Sequence, residues 1–455
     1  MRRLSPLISA VALVLVLYAL AVGCGGANDK PGLVTSWGKD GVVQLPGFEV
    51  KQTIEDSSGR IVAVGNYKGN YAEVVRLLAN GSLDSSFGKD GVVRWPFHMF
   101  QGRFPNGMDY LGWDLVTLLP DGRIVLAGTN MVGNVDDKTT LVVSELDESG
   151  KVVGSFGDNG YFTADKRLYD CSAAAAAKGA DACDRQFLTL AEKKTTCTRG
   201  PAGLAIQGEK IVVSADRFCG EFEPYHIVVM RLNANGTRDR SFGKKGEATV
   251  SGTAPLIVSA PLIVLPNDHL VVGGTTATEK VQLTELLPKG AIDSHFGKNG
   301  VVFTHAAESR LGFHNLTSLM SDNQGILSLT GTNDEGPFLV RFTSSGQPLD
   351  FRTGSRRPPS IRAKGNYENF GSAAFGIPFA VFAQLPSGEL VAAGHLLARI
   401  TSDGALDTSY PRLQLYGGSK LIIRGILASS DGTVLVTLLK QNPSLTFTAE
   451  LARYR

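Results

Sequence analysis

The sequence predicts an all-β chain folded as a seven-bladed β-propeller of four-stranded blades, and three observations predict it. A six-residue turn phrase recurs as "SWGKDG" at Ser36–Gly41, "SFGKDG" at Ser86–Gly91, "SFGDNG" at Ser155–Gly160, "SFGKKG" at Ser241–Gly246 and "HFGKNG" at His295–Gly300. A second phrase is a turn followed by a β-branched run, as in "PDGRIVLAGT" from Pro120. It occurs seven times, the other copies starting at Ser57, Gln207, Pro266, Asp322, Pro386 and Ser430. A third phrase is an apolar strand ending in a turn, as in "EVVRLLANG" from Glu73. It also occurs seven times, with copies from Leu141, Ile227, Val281, Phe338, Leu396 and Thr448. Small sheets repeated in this way bury their faces only by stacking on their neighbours.

Each unit reads as four strands in fixed order: an apolar strand before the PDG turn, a strand after it, the "VVRL" strand, and the "GVV" strand after the SFG turn. The runs are short, rich in β-branched residues and bounded by Gly, Asn and Asp. Units are expected near residues 46–95, 96–163, 164–250, 251–304, 305–360, 361–415 and 416–455, the last completed by 34–45. The chain ends on a third phrase, "FTAELARYR", and the region after residue 33 opens on an SFG phrase, so head and tail are expected to share one blade and remove the exposed edges. The aromatic of the SFG phrase is expected to wedge between blades. It is Trp37, Phe87, Phe156, Phe242 and Phe296, with Tyr410 in a degenerate copy and Thr353 in another. Asp84, Asp239, Asp293, Asp350 and Asp407 precede the phrase and are expected to bond their own turn. The single helical candidate is Ser172–Ala182, inside an insertion at 165–200.

The first residues read as a targeting segment. Arg2 and Arg3 precede an apolar run, Leu7–Ala21, and small residues lead to Cys24. This resembles a bacterial lipoprotein signal, which implies removal of residues 1–23, lipidation of Cys24 and a flexible tether over 24–33. The alternative is an uncleaved membrane anchor. The combined phrases "LPDGRIVLAGT", "VVRLLANGSLDSSFGKDGVV" and their copies are similar to the delta-60 repeat of exported bacterial proteins, over nearly all of 34–455. The resemblance implies a propeller and carries no catalytic residues with it.

At 43% hydrophobic and 19% charged residues the chain is globular, and its net charge of +2 gives no basis for nucleic-acid binding. Beside Cys24 stand Cys171, Cys183, Cys197 and Cys219; an even set in an exported chain points to two disulfides, with zinc as the alternative. Their pairing stays open, with Cys171–Cys183 and Cys197–Cys219 preferred.

Function is expected where the units differ. The PDG and SFG turns share one face and are alike; the remaining connections share the other face and diverge. The divergent segments supply Phe100, Phe104, Tyr110, Trp113, Phe222, Tyr225, Tyr367 and Phe370 as contact candidates for a protein or a sugar ring. The basic stretch Arg352–Gly371 adds Arg352, Arg356, Arg357, Arg362 and Lys364 for an anionic partner. Loop-on-loop packing is the competing reading. The expected function is a non-enzymatic, lipid-anchored binding module of the cell envelope, monomeric and without a cofactor. The alternative is a propeller enzyme (hydrolase, lyase or dehydrogenase) with a metal or quinone at the channel mouth, near Asp114, His314 and Asn315.

Overall fold

In the computed structural model the described residues are 32–69, 71–96, 110–131, 139–164, 200–217, 226–250, 260–275, 281–304, 315–333, 336–349, 362–364, 367–369, 380–394, 396–410, 413–415, 422–442 and 446–455. They hold β-strands and turns, and among them there is no helix. The helical candidate Ser172–Ala182 and the targeting segment lie outside them.

Strand β1 (Val42–Pro46) is followed by a first blade of β2 (Phe48–Glu55), β3 (Ile61–Tyr67), β4 (Tyr71–Leu77) and β5 (Val92–Pro96). The second holds β6 (Tyr110–Leu118), β7 (Ile124–Met131), β8 (Thr139–Leu146) and β9 (Tyr161–Thr163). The third holds β10 (Pro201–Gln207), β11 (Lys210–Arg217), β12 (His226–Leu232) and β13 (Glu247–Val250). The fourth holds β14 (Leu262–Val264), β15 (Leu270–Thr275), β16 (Val281–Leu286) and β17 (Val301–Thr304). The fifth holds β18 (Asn315–Ser321), β19 (Leu327–Asn333) and β20 (Gly336–Phe342), with β22 (Tyr367–Asn369) and β21 (Arg362–Lys364) outside them. The sixth holds β23 (Val381–Gln384), β24 (Leu390–Ala393), β25 (Leu396–Ile400) and β26 (Leu413–Gln414). The seventh holds β27 (Ile422–Ala428), β28 (Val434–Gln441) and β29 (Phe447–Tyr454), and β1 completes it.

All pairings are antiparallel, so each blade is a meander whose first strand lies innermost. Strands β2, β6, β10, β14, β18, β23 and β27 each touch the next, and β27 touches β2, closing a seven-bladed ring. Closure is made by β1 on β29, in register from Val42 opposite Ala452 to Pro46 opposite Thr448. Gly32 and Arg455 add reciprocal backbone hydrogen bonds of 3.1 and 2.9 Å.

The apolar core is divided into seven clusters, each spanning two neighbouring blades. Trp37, Phe87, Phe156, Phe242 and Phe296 are buried in them. The two turn phrases prove to be halves of one device. Phe87, from the first blade's SFG turn, packs on Gly150 of the second blade's third phrase, where an added Cβ would stand 2.8 Å from the ring. The amide of Gly88 donates to the carbonyl of Ser149 in that same turn, at 2.7 Å. The pattern repeats from blade to blade: Gly157 to Asn235, Gly243 to Lys289, Gly297 to Ser345, and Gly38 to Asn80. Five of the seven junctions are thus bolted by a ring on a glycine and a backbone hydrogen bond. In the seventh blade β29 ends at Tyr454 and the outer strand comes from 42–46; Tyr410, from the sixth blade, is only half buried.

One stretch departs from expectation. Residues within Arg352–Gly371, read as a basic loop, contribute β21 and β22. Tyr367 pairs with Val340, and Arg362 and Lys364 form an outermost hairpin strand of the fifth blade. The fifth blade therefore takes its outer strand from beyond the degenerate turn at Thr353, not from directly after it.

Candidate site at the channel mouth

The topology fixes the two faces. The connections β2–β3 and β4–β5, and their counterparts, lie at one end of the ring. The connections β3–β4 and β5–β6, and theirs, lie at the other, which carries the divergent segments. The innermost strands begin at this divergent end, and there five of them share an irregularity. An extra residue is inserted opposite the second strand: Lys51 in β2, Asp114 in β6, Ala202 in β10, Thr317 in β18 and Arg424 in β27. A β-bulge of this kind twists the strand and re-aims the side chain it carries.

In the first, second and fifth blades the bulge has a sequence cause; in β10 and β27 it faces Ala215 and Leu438. The repeated Gly of the second phrase faces it: Gly65 lies opposite Val50, and Gly128 opposite Trp113. A Cβ on Gly65 would collide with the carbonyl oxygen of Glu49, and one on Gly128 with that of Gly112. At these two positions only glycine permits so close an approach.

The bulged side chains on three neighbouring inner strands meet charged partners. Arg424 lies 3.7 Å from Glu49, and Glu49 lies 2.7 Å from Lys51. Asp114 accepts a hydrogen bond from Thr129 Oγ1 at 3.2 Å. Next round the ring, the amide of Gly200 donates to Asp216 Oδ1 at 2.7 Å. A band of alternating charge, Arg424, Glu49, Lys51, Asp114, with Asp216 beyond, therefore follows the mouth across the seventh, first, second and third blades. Burial lifts the Asp114 carboxyl above the ordinary range; the Thr129 hydrogen bond and the Lys51 charge oppose this, and the Glu49 charge adds to it. Burial likewise lifts Asp216 against the pull of the Gly200 amide. Such acids hold a proton more readily than free ones and serve as donors as well as acceptors. The opposite mouth is a cavity of about 540 Å³ at the uniform turns, lined by Glu55, Asp56, Asp322, Gln384 and Ser430 among others.

Trp113 needs correction as a loop contact. It lies on β6, fully buried, edge-on to Trp95 with ring centres 5.6 Å apart, in the core cluster that also holds Phe87. Its strand begins at Tyr110, three residues earlier, so the pleat turns it inward. Tyr110 heads the innermost strand of the second blade, and Asn315 that of the fifth. Phe100, Phe104, Phe222, Tyr225, Arg352, Arg356, Arg357, Phe370, His314, Cys24 and the four cysteines Cys171, Cys183, Cys197 and Cys219 lie outside the described residues. The residues missed were Lys51, Glu49, Arg424, Thr129 and Asp216. A partial signal was present: in the first, second and fifth blades a glycine of the second phrase faces the bulge, and a polar residue follows it in Asn66, Thr129 and Thr332; the bulges at Ala202 and Arg424 had none.

A family described as a domain of unknown function (DUF5122) beta-propeller matches residues 57–87 and 210–242, from the second phrase to the SFG aromatic in the first and third blades. No curated protein matches. Among solved structures, a catalytically inactive virginiamycin B lyase from Staphylococcus aureus with quinupristin is 11% identical, over 90% of this chain and 98% of that one, with a TM-score of 0.44. A puromycin hydrolase is 13% identical over 94% of this chain and 56% of that one, with a TM-score of 0.45. A polysaccharide lyase is 10% identical over 89% of each chain, with a TM-score of 0.42. Likenesses at this level carry no argument about activity.

Proposed function

We propose that this propeller is an exported binding module, held at a membrane through lipidated Cys24, whose divergent face takes an envelope polysaccharide with polar groups entering the channel mouth. One observation carries the reading. The bulged residues place unlike charges side by side on the innermost strands at the divergent end, partly exposed, while the charges of the uniform face are spent on its own turns. A row of guanidinium, carboxylate, ammonium and protonatable carboxyl groups, with Thr129 beside it, suits a chain of hydroxyl and ionic groups. A protein partner in the envelope is the competing occupant; nucleic acid is not expected, and the module acts as a monomer.

The test is binding of the purified protein to an array of neutral, uronic and amino polysaccharides, beside the Lys51→Ala and Asp114→Asn variants. Binding is expected for wild type and is expected to fall at least tenfold in each variant, with melting unchanged. Undiminished binding in both variants removes the mouth from the reading. The anchor is checked separately: Cys24→Ser should release the protein from the membrane fraction, whereas a membrane-bound variant of unchanged mass points to an uncleaved anchor.

A second reading, an enzyme acting at the mouth, rests on Asp114, whose raised pKa beside Lys51 suits proton transfer. Chain cleavage by the wild type that Asp114→Asn abolishes would replace the non-enzymatic reading.

A further inference from the structure

The uniform face carries one exception, and it lies in the fourth blade. Three positions correspond from blade to blade in the sequence: the residue at or just before the start of the second strand, the charged residue of the third phrase, and the residue three before the SFG aromatic. In the first blade they are Arg60, Arg76 and Asp84, and Arg76 Nε binds Asp84 Oδ2 at 2.8 Å while its guanidinium lies over Phe87. In the third they are Lys210, Arg231 and Asp239, with Arg231 bonded to Asp239 at 3.0 Å and stacked on Phe242. The fifth, sixth and seventh blades keep the arginine as Arg341, Arg399 and Arg453; Arg399 pairs with Glu389 and Arg453 with Glu55, each at 2.7 Å.

The second blade reverses the charge but balances it. Glu145 replaces the arginine, Val153 replaces the acid, and Arg123 reaches Glu145. The fourth blade makes the same arginine-to-glutamate exchange without that balance. Glu285 stands where the arginine would be, Asp293 is retained, and the third position is His269. Six blades thus supply a permanent guanidinium here, and the fourth supplies two carboxylates and an imidazole.

The geometry is that of a ligand set. His269 Nδ1 lies 2.6 Å from Glu285 Oε1 and 3.5 Å from Asp293 Oδ2. One ligand atom from each residue lies within 4.8 Å of the others, and among the described residues this is the only such group. The side chains of His269, Glu285 and Asp293 are 18%, 6% and 13% exposed. The far oxygen, Asp293 Oδ1, is committed to the amide and ring of His295, each at 3.0 Å, which leaves Oδ2 for the site. Ligand atoms on a tetrahedral ion at about 2.1 Å stand roughly 3.4 Å apart, so a metal replacing the His269–Glu285 proton requires these side chains to part by under about 1 Å.

We propose that His269, Glu285 and Asp293 bind one divalent cation of the zinc class, which takes the place of the missing arginine and ties the third strand of the fourth blade to its SFG turn. Imidazole and carboxylate oxygens suit zinc, and three protein ligands leave a fourth position for water. Burying two carboxylates without a strong cation is costly, which is why the other blades hold a guanidinium. This inference does not rest on the channel-mouth reading.

The informative variant is Glu285→Arg, which rebuilds the arginine–aspartate pair of the first and third blades and so is expected to fold. Full-length protein stripped with a chelator is titrated with zinc alone and with manganese alone, and bound metal is counted by mass spectrometry. Wild type is expected to take up zinc at this site and to melt higher with it. Glu285→Arg and His269→Gln should each bind one equivalent fewer, with no zinc-dependent rise in melting. The count matters because cysteine-bound zinc would persist in both variants. If wild type binds no metal, or if Glu285→Arg binds as much as wild type, the three residues hold only a proton and the proposal fails.

Discussion

A single arginine–aspartate–aromatic group does most to join one uniform-face turn to its strand, and its aspartate can be read by pH. Burial by itself would raise Asp239. Hydrogen bonds from the Ser241 hydroxyl and amide, with the charges of Arg231 and Lys210, outweigh burial and lower it to about 2. A carboxyl whose folded pKa is depressed adds stability above its unfolded value near 3.9, and that contribution is lost as pH falls toward 2. Asp239→Asn should therefore lower stability at pH 7, and its deficit against wild type should close between about pH 4 and 2. Denaturant melts across that window check this; a deficit that stays constant with pH would mean the carboxylate charge contributes nothing. At the same scale, Trp113→Ala should cost about 3–5 kcal/mol, the range for a buried aromatic, and not act as a silent surface change. Chemical denaturation of that variant beside Phe87→Ala should give comparable losses. The wedge aromatics could be placed from sequence because they recur with a fixed neighbour. Trp113 could not, since one tryptophan near a long connection reads equally as loop tip or strand, and only the start of β6 decides.

At the scale of elements, the bulge is the feature that aims the channel-mouth charges. Gly128→Ala would drive a methyl into the carbonyl of Gly112 and should flatten the bulge in β6. The expected result is a loss of about 2 kcal/mol or more, since the obstacle is backbone and cannot rotate away. Asp114 should also leave its buried setting, and its carboxyl titration by NMR should move downward, because relief from burial, the larger influence, outweighs loss of the Thr129 hydrogen bond. An unchanged titration would mean that the bulge does not set the Asp114 environment. The strands themselves were plain in the sequence, because the turn residues bracket each run. The bulges were not, because an inserted residue leaves the alternation ambiguous by one position. The outer strands of the fifth blade were hidden for a related reason: "IRAKGNYENF" is charged on both sides and carries no buried stripe to show its pairing.

For the whole molecule, ring closure predicts cooperativity over long sequence distance. Removing Thr446–Arg455 deletes β29, on which both β28 and β1 pair. The truncated chain should lose heat stability throughout and associate through the opened edge. An open array, whose stability is a sum over neighbours, would lose only its last unit. Calorimetry and light scattering separate the two, and a monomer melting as wild type would argue against closure. The blade number and the shared blade were legible because every phrase recurs in order and the ends complement each other. The identity of whatever meets the divergent face was not, because what differs between the units appears only once and has no internal copy to be compared with.

The reciprocal hydrogen bonds of Gly32 and Arg455 bring the two ends of the ring within bonding distance of one another. They lie at the uniform face, in the place that other blades fill with a turn. Covalent order is then almost incidental to the folded object: the sequence is a circle written out from one arbitrary point. Rejoining residue 455 to residue 32 and opening the chain at another third-phrase turn would yield the same seven blades in a rotated reading order.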